Sequence, residues 1–222
     1  MKQFLKPMFM KRFFLLALFF LPSVLAMSQK TASFTIDTIS NELFSRMWGK
    51  SFKTDCTVPR SDLRYLRVLH VDAQGKTHEG EIVCHKRIAD DLIDIFRQLY
   101  NARYPIERIR LVDDYGADDE LSMSDNNTSC FNFRTVPGTT KLSKHAQGLA
   151  IDINTRYNPY VRPRKNGTTE VMPANAKAYT NRSRKFAYKI EKGDLLYRLF
   201  IQHGFTWGGS WRNSKDYQHF QK

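Results

Sequence analysis

The stretch that decides the fold is KLSKHAQGLAIDIN, residues 141–154. Its second half alternates. Leu149, Ile151 and Ile153 share one face of an extended segment, and Ala150 and Asp152 share the other. The apolar set predicts a strand with its back to the core, leaving the Asp152 carboxylate toward a cleft. Gly148 and Ala150 then read as residues that keep the cleft side clear. His145 precedes this strand by a short gap. Taken alone, it is either a satisfied structural histidine or one half of a metal site completed by Asp152. A partner elsewhere in the chain has to decide.

That partner is DYQHF, residues 216–220. Catalytic zinc takes three protein ligands and keeps a fourth position open for water. His145, Asp152 and His219 supply two imidazoles and one carboxylate, and Asp216 stands three residues before His219 as the expected base.

Working outward, the first 26 residues stand apart from the rest. Lys2, Lys6, Lys11 and Arg12 precede the apolar run FFLLALFFLPSVLA, and Val24 and Ala26 are small residues at the −3 and −1 positions of a cleavage site. The run is short for a membrane span and is broken by Pro22. Residues 1–26 are therefore expected to be a signal peptide, and residues 27–222 one domain. Removing the leader leaves 31 basic against 22 acidic residues, a net charge of +9. Such a balance suits anionic partners, cell wall among them. Cys56, Cys84 and Cys130 lack structural-zinc spacing. Export permits a disulfide, and Cys56 to Cys84 is the preferred pairing beside the alternative of free buried thiols.

The remaining elements mix strands and helices without βαβ regularity, which predicts an α+β domain. Helical spacing runs over residues 36–48 through Ile36, Ile39, Leu43, Phe44 and Met47. Residues 63–72 and the GEIVC segment read as a hairpin closed at AQG. Ile88, Leu92, Ile95, Phe96 and Leu99 mark a helix, and ERIRLVD reads as a strand. Residues 113–129 are rich in Asp, Asn and Ser, lack the EF-hand Gly and Glu, and read as a solvated loop. Residues 155–189 hold nine Lys or Arg and one Glu, interspersed with tyrosines. A passage this long inside a domain is usually functional or loosely ordered, and its composition admits single-strand nucleic-acid binding as a weaker reading. The helix DLLYRLFIQHG and a final strand through DYQHFQ close the chain, with Trp207 and Trp211 either lining the cleft or in the core.

The pattern S-x-H-x-x-G-x-A-x-D from Ser143 to Asp152, followed by D-x-x-H near the C-terminus, resembles the D-alanyl-D-alanine carboxypeptidase family of zinc peptidases. That family includes VanY-type carboxypeptidases and L-alanyl-D-glutamate endopeptidases. NNTSCFNFR, NPYV and GFTWGGSW are similar to a secreted VanY-like branch, and the similarity runs from about residue 40 to the C-terminus. The resemblance implies one zinc ion on His145, Asp152 and His219, with Asp216 as general base and acid. It also implies that Arg134, in FNFR, binds substrate and stabilises charge at the scissile carbonyl. Many relatives have Glu at the base position, and Asp resembles the endopeptidase side. The implied fold is a small antiparallel sheet with flanking helices, shared with Hedgehog signalling domains. The implied activity is hydrolysis of peptidoglycan stem peptides, by D-Ala-D-Ala carboxypeptidase or L,D-endopeptidase action. A non-catalytic zinc-containing wall-binding module is the alternative from another class. Expected partners are peptidoglycan peptides, with no nucleic acid and no stable membrane insertion after leader cleavage. The chain is expected to be a periplasmic monomer.

Overall fold

The computed structural model describes Met1 and residues 34–222. The leader expected over residues 1–26 thus lies, apart from Met1, outside the described residues. No described helix is long and apolar enough to cross a membrane.

The N-terminal half is built on an antiparallel sheet of β1 (Thr35–Thr38), β2 (Leu63–Val71) and β3 (Thr77–His85), in that spatial order. Its strand period of two feeds two apolar clusters. Leu66, Val68, Ile82 and Cys84 join the main core, whereas Leu63 and Val83 join a second cluster on the opposite face. Each face has its own helix. The helix α1 (Asn41–Met47) packs Leu43 and Met47 into the second cluster. The longer α2 (Lys86–Asn101) buries Ile88, Ala89, Leu92, Ile93, Ile95, Phe96 and Leu99 in the main core. Each large apolar side chain buried this way contributes on the order of 1.5–3 kcal/mol before entropy is counted.

The helical spacing expected from residue 36 is corrected at its start. Residues 35–38 pair with β2, Ile36 opposite Leu66, and Ser40 begins the helix by accepting a 3.1 Å bond from the Leu43 amide. The serine cap outweighs the apolar period that runs through it. Two further expectations change in the segment that follows. The strand expected over ERIRLVD shrinks to β4 (Arg108–Ile109) and turns at once into a 3-10 helix, Val112–Tyr115. The supposed solvated loop at 113–129 holds a short helix, α3 (Asp119–Ser124), and β5 (Asn127–Thr128), which pairs in parallel with β4. Its acidic composition belongs to a helix start, because Asp118 accepts from the Leu121 amide at 3.0 Å and Asp119 and Glu120 fill the first turn.

The C-terminal half supplies β6 (Ala150–Asp152), β7 (Tyr160–Pro163), β8 (Thr169–Met172), α4 (Leu195–Gln202), β9 (Thr206–Trp207), β10 (Lys215–Asp216) and β11 (His219–Gln221). They form two small antiparallel sheets, ordered β6–β11–β9 and β10–β7–β8. What reads as one terminal strand is thus divided between the sheets, with Asp216 on one and His219 on the other. The 155–189 passage is ordered by its own ion pairs: Arg162 and Arg164 grip Glu170 across the β7–β8 hairpin, both at 2.8 Å. Tyr157, Tyr179, Phe186 and Tyr188 pack ring to ring in this passage, with centroids 4.5–6.3 Å apart. All three cysteines are free, so the preferred Cys56–Cys84 disulfide is not present. Cys84 and Cys130 instead lie in the main core as buried thiols. The architecture is α+β, as the element pattern predicts.

A candidate metal centre in a lined cleft

The centre of the site is a register. β11 pairs antiparallel with β6 so that His219 stands directly opposite Asp152, and opposite residues of a ladder project to the same side. Leu149, Ile151 and Ile153 go the other way, into the main core. His145 arrives from a 3-10 turn, His145–Gln147, that Gly148 terminates at φ +66°. Here a sequence expectation is corrected. Gly148 does not clear the cleft; a Cβ on it would sit 2.7 Å from the backbone nitrogen of His85, whose amide donates to the Gly148 carbonyl at 2.9 Å. It is small and left-handed so that the turn can lock onto the β3–α2 junction.

These three residues bring their donor atoms together. His145 Nε2 lies 3.2 Å from His219 Nδ1 and 3.2 Å from Asp152 Oδ2, and His219 Nδ1 lies 2.9 Å from Asp152 Oδ1. Each imidazole is oriented from behind. His145 Nδ1 is 2.7 Å from the Cys130 carbonyl and His219 Nε2 is 3.0 Å from Gln221 Oε1, so each of these nitrogens donates a proton outward. The nitrogens facing inward then carry lone pairs in the neutral rings. Two lone pairs and a carboxylate converge with no hydrogen of their own between them, an arrangement that calls for a cation. Ligand atoms bound to tetrahedral zinc at about 2.0–2.1 Å stand roughly 3.3–3.4 Å apart, close to the spacing found here. The donor set therefore fits such an ion.

The electrostatics point the same way. Burial would raise the Asp152 carboxyl, but the charges and hydrogen bonds of His145 and His219 hold it well below the usual carboxylate range. Burial would lower His219, yet its hydrogen bond to Asp152 and that residue's charge push it up to about 9. Both shifts have one cause, a buried negative charge that favours positive charge in the gap. Asp216 behaves oppositely. Burial first, then the nearby Asp152 charge, raise its carboxyl against the pull of His219, to about 7. Its Oδ1 atom is buried and has no hydrogen-bond partner among the described residues. An unpaired buried carboxylate oxygen beside three converging ligands is costly for the fold, and it is what a proton-transferring group requires.

A cleft of about 490 Å³ holds all of these residues. Arg134, Ser143, His145, Asp152, Asp216 and His219 all line it, within the usual size range of ligand sites. Of the two tryptophans left open by the sequence, Trp211 lines the cleft with its ring 5.4 Å from that of His219. Trp207 belongs to the core, stacked on Phe220. The other four histidines are held elsewhere: His85 caps α2, His78 pairs with Asp72, His70 bonds the Ile106 carbonyl, and His203 bridges Asp91 and Asp94.

Three contributors escaped the sequence reading. Gln221 orients His219, and the Cys130 carbonyl orients His145; a lone glutamine and a backbone oxygen leave no mark in a motif. Gly208 is the third. A Cβ on it would lie 2.7 Å from the Asp216 carbonyl oxygen, 2.8 Å from Asp216 Cβ and 3.2 Å from His219 Cβ. The doubled glycine of TWGGSW was a visible signal, legible only once the strand it touches is known.

Comparison with curated proteins gives no match, and neither does comparison with solved structures. A family model does match, over residues 137–222. Across that stretch, which holds His145, Asp152, Asp216 and His219, the chain is similar to the D-alanyl-D-alanine carboxypeptidase family.

Proposed function

We propose that this protein is a zinc-dependent peptidase that hydrolyses peptidoglycan stem peptides after export and removal of residues 1–26. One observation carries the reading. Two outward-tethered histidines and a carboxylate converge within 3.2 Å, in a cleft shared with an unpaired buried Asp216 oxygen. The family similarity supplies the peptide chemistry, and the apolar, charged N-terminal stretch supports the exported location.

His145, Asp152 and His219 would hold the ion, fixed by Cys130 and Gln221. Bound zinc supplies Lewis acidity and acidifies water at its open position. The protein's residues do the rest. Asp216 accepts the proton of the attacking water and returns it to the departing amine. Arg134 donates hydrogen bonds to the scissile carbonyl as negative charge grows on its oxygen. Trp211, its ring 5.4 Å from that of His219, gives the substrate an apolar wall beside the ligand histidine.

The test is to incubate the protein with purified muropeptides, with and without a chelator, and weigh the fragments. Chelator-sensitive loss of a terminal D-alanine supports carboxypeptidase action, whereas cleavage within the stem assigns the endopeptidase alternative. No chelator-sensitive cleavage of any stem peptide would remove the enzymatic reading.

A further inference from the structure

Arg134 needs an explanation for its place in the cleft. An arginine on a loop has about 2 kcal/mol of rotamer entropy to lose, and it serves a reacting carbonyl only if something holds it. The structure provides a post. The Asp119 carboxylate forms an ion pair with the Nε side of the Arg134 guanidinium, and both side chains are about three-quarters buried, 26% and 25% exposed. The other Asp119 oxygen accepts a 2.9 Å bond from Asn132 Nδ2. Asn132 is itself buried, and its backbone amide donates to the His145 carbonyl at 3.2 Å. Arg134 closes the circuit, because its carbonyl accepts from the Ser143 amide at 3.0 Å, and Ser143 Oγ accepts from the His145 amide at 3.1 Å. The carboxylate is therefore pinned on one oxygen to the frame that carries a candidate metal ligand, and on the other it carries the arginine.

We propose that Asp119 is a positioning residue: it fixes the Nε edge of Arg134 and so aims the terminal guanidinium nitrogens at the substrate carbonyl. This inference rests on the peptidase reading for its catalytic consequence, but not for its geometry. It also gives α3 a purpose. The helix presents its first residue to the cleft that Asp119 and Arg134 both line.

The experiment separates the two claims. Side-chain NMR of the zinc-loaded protein should show an Arg134 Nε resonance with a high order parameter, as an ion-paired guanidinium held in place requires, assigned by its disappearance in Arg134→Lys. Asp119→Asn should lower that order parameter, and Asp119→Glu, which keeps the charge, should restore it. On muropeptides, Asp119→Asn should lose about 10–100-fold in kcat/KM at unchanged zinc content, the usual scale for a displaced catalytic contact. The double variant Asp119→Asn/Arg134→Lys should be no slower than Arg134→Lys alone. An unchanged Nε order parameter in Asp119→Asn, or losses that multiply in the double variant, would overturn the proposal. If the wild-type protein cleaves no stem peptide, the function falls while the NMR result still decides the positioning.

Discussion

Substituting alanine for Gly208 tests how tightly the candidate base and ligand are packed. Gly208 has no positive φ, so space alone is at stake. The new Cβ would stand 2.7 Å from the Asp216 carbonyl oxygen and 2.8 Å from Asp216 Cβ, where ordinary contact begins at 3.4 Å. The turn and β10 must therefore separate by about 0.7 Å, because the atoms the new Cβ meets are backbone or Cβ, which cannot rotate away. Such overpacking costs about 1–3 kcal/mol of stability. His219 Cβ, at 3.2 Å, needs to give only a few tenths of an ångström, so zinc should still bind. Asp216 moves most, and displacement of a reacting group on this scale costs roughly 10–100-fold in rate. Gly208→Ala should thus lower the melting temperature, keep close to one zinc per chain, and lose most of its kcat/KM on muropeptides. Calorimetry, metal analysis and steady-state kinetics read the three effects. Wild-type stability together with wild-type turnover would show that the close approach is not real.

Three other outcomes follow from the same geometry. Asp216→Asn should keep zinc and lose about 10²–10⁴-fold in turnover, whereas His145→Ala should lose zinc; full activity in the asparagine variant would reject Asp216 as the base. Gln221→Leu removes the outward tether of His219 and should weaken zinc affinity about 10–100-fold in a chelator competition, so unchanged affinity would show that the tether does not tune the ligand. His70 gives a pH signature independent of the cleft. Burial lowers it from 6.5 to about 4, so between those values the unfolded chain binds a proton that the native chain refuses. Its contribution is complete above pH 6.5 and is lost as pH falls toward 4, up to about 3 kcal/mol. Urea unfolding of wild type and His70→Asn across that range should show the variant with the flatter profile; parallel profiles would contradict the assignment.

The sequence by itself determined the local chemistry. Alternation in GLAIDI predicts which side chains of β6 enter the core, and the paired motifs at 143–152 and 216–219 name the residues that the structure gathers into one cleft. Helix α2 and its buried face were equally legible, because a 16-residue amphipathic period leaves no competing reading. Short elements were not. α1 starts where Ser40 caps it rather than where the apolar period begins, and α3 looked like loop because capping acids and loop acids are the same residues. Only the tertiary structure could place His219 opposite Asp152, since register depends on both strands at once. It alone set Gly148 against the His85 backbone, Gly208 against Asp216, and Asp119 against Arg134. Such pairings join segments far apart in the chain, and no spacing within either segment records them. The identity of the candidate groups is a property of residue types, written in order; their orientation is a property of packing, fixed only when the chain has closed on itself.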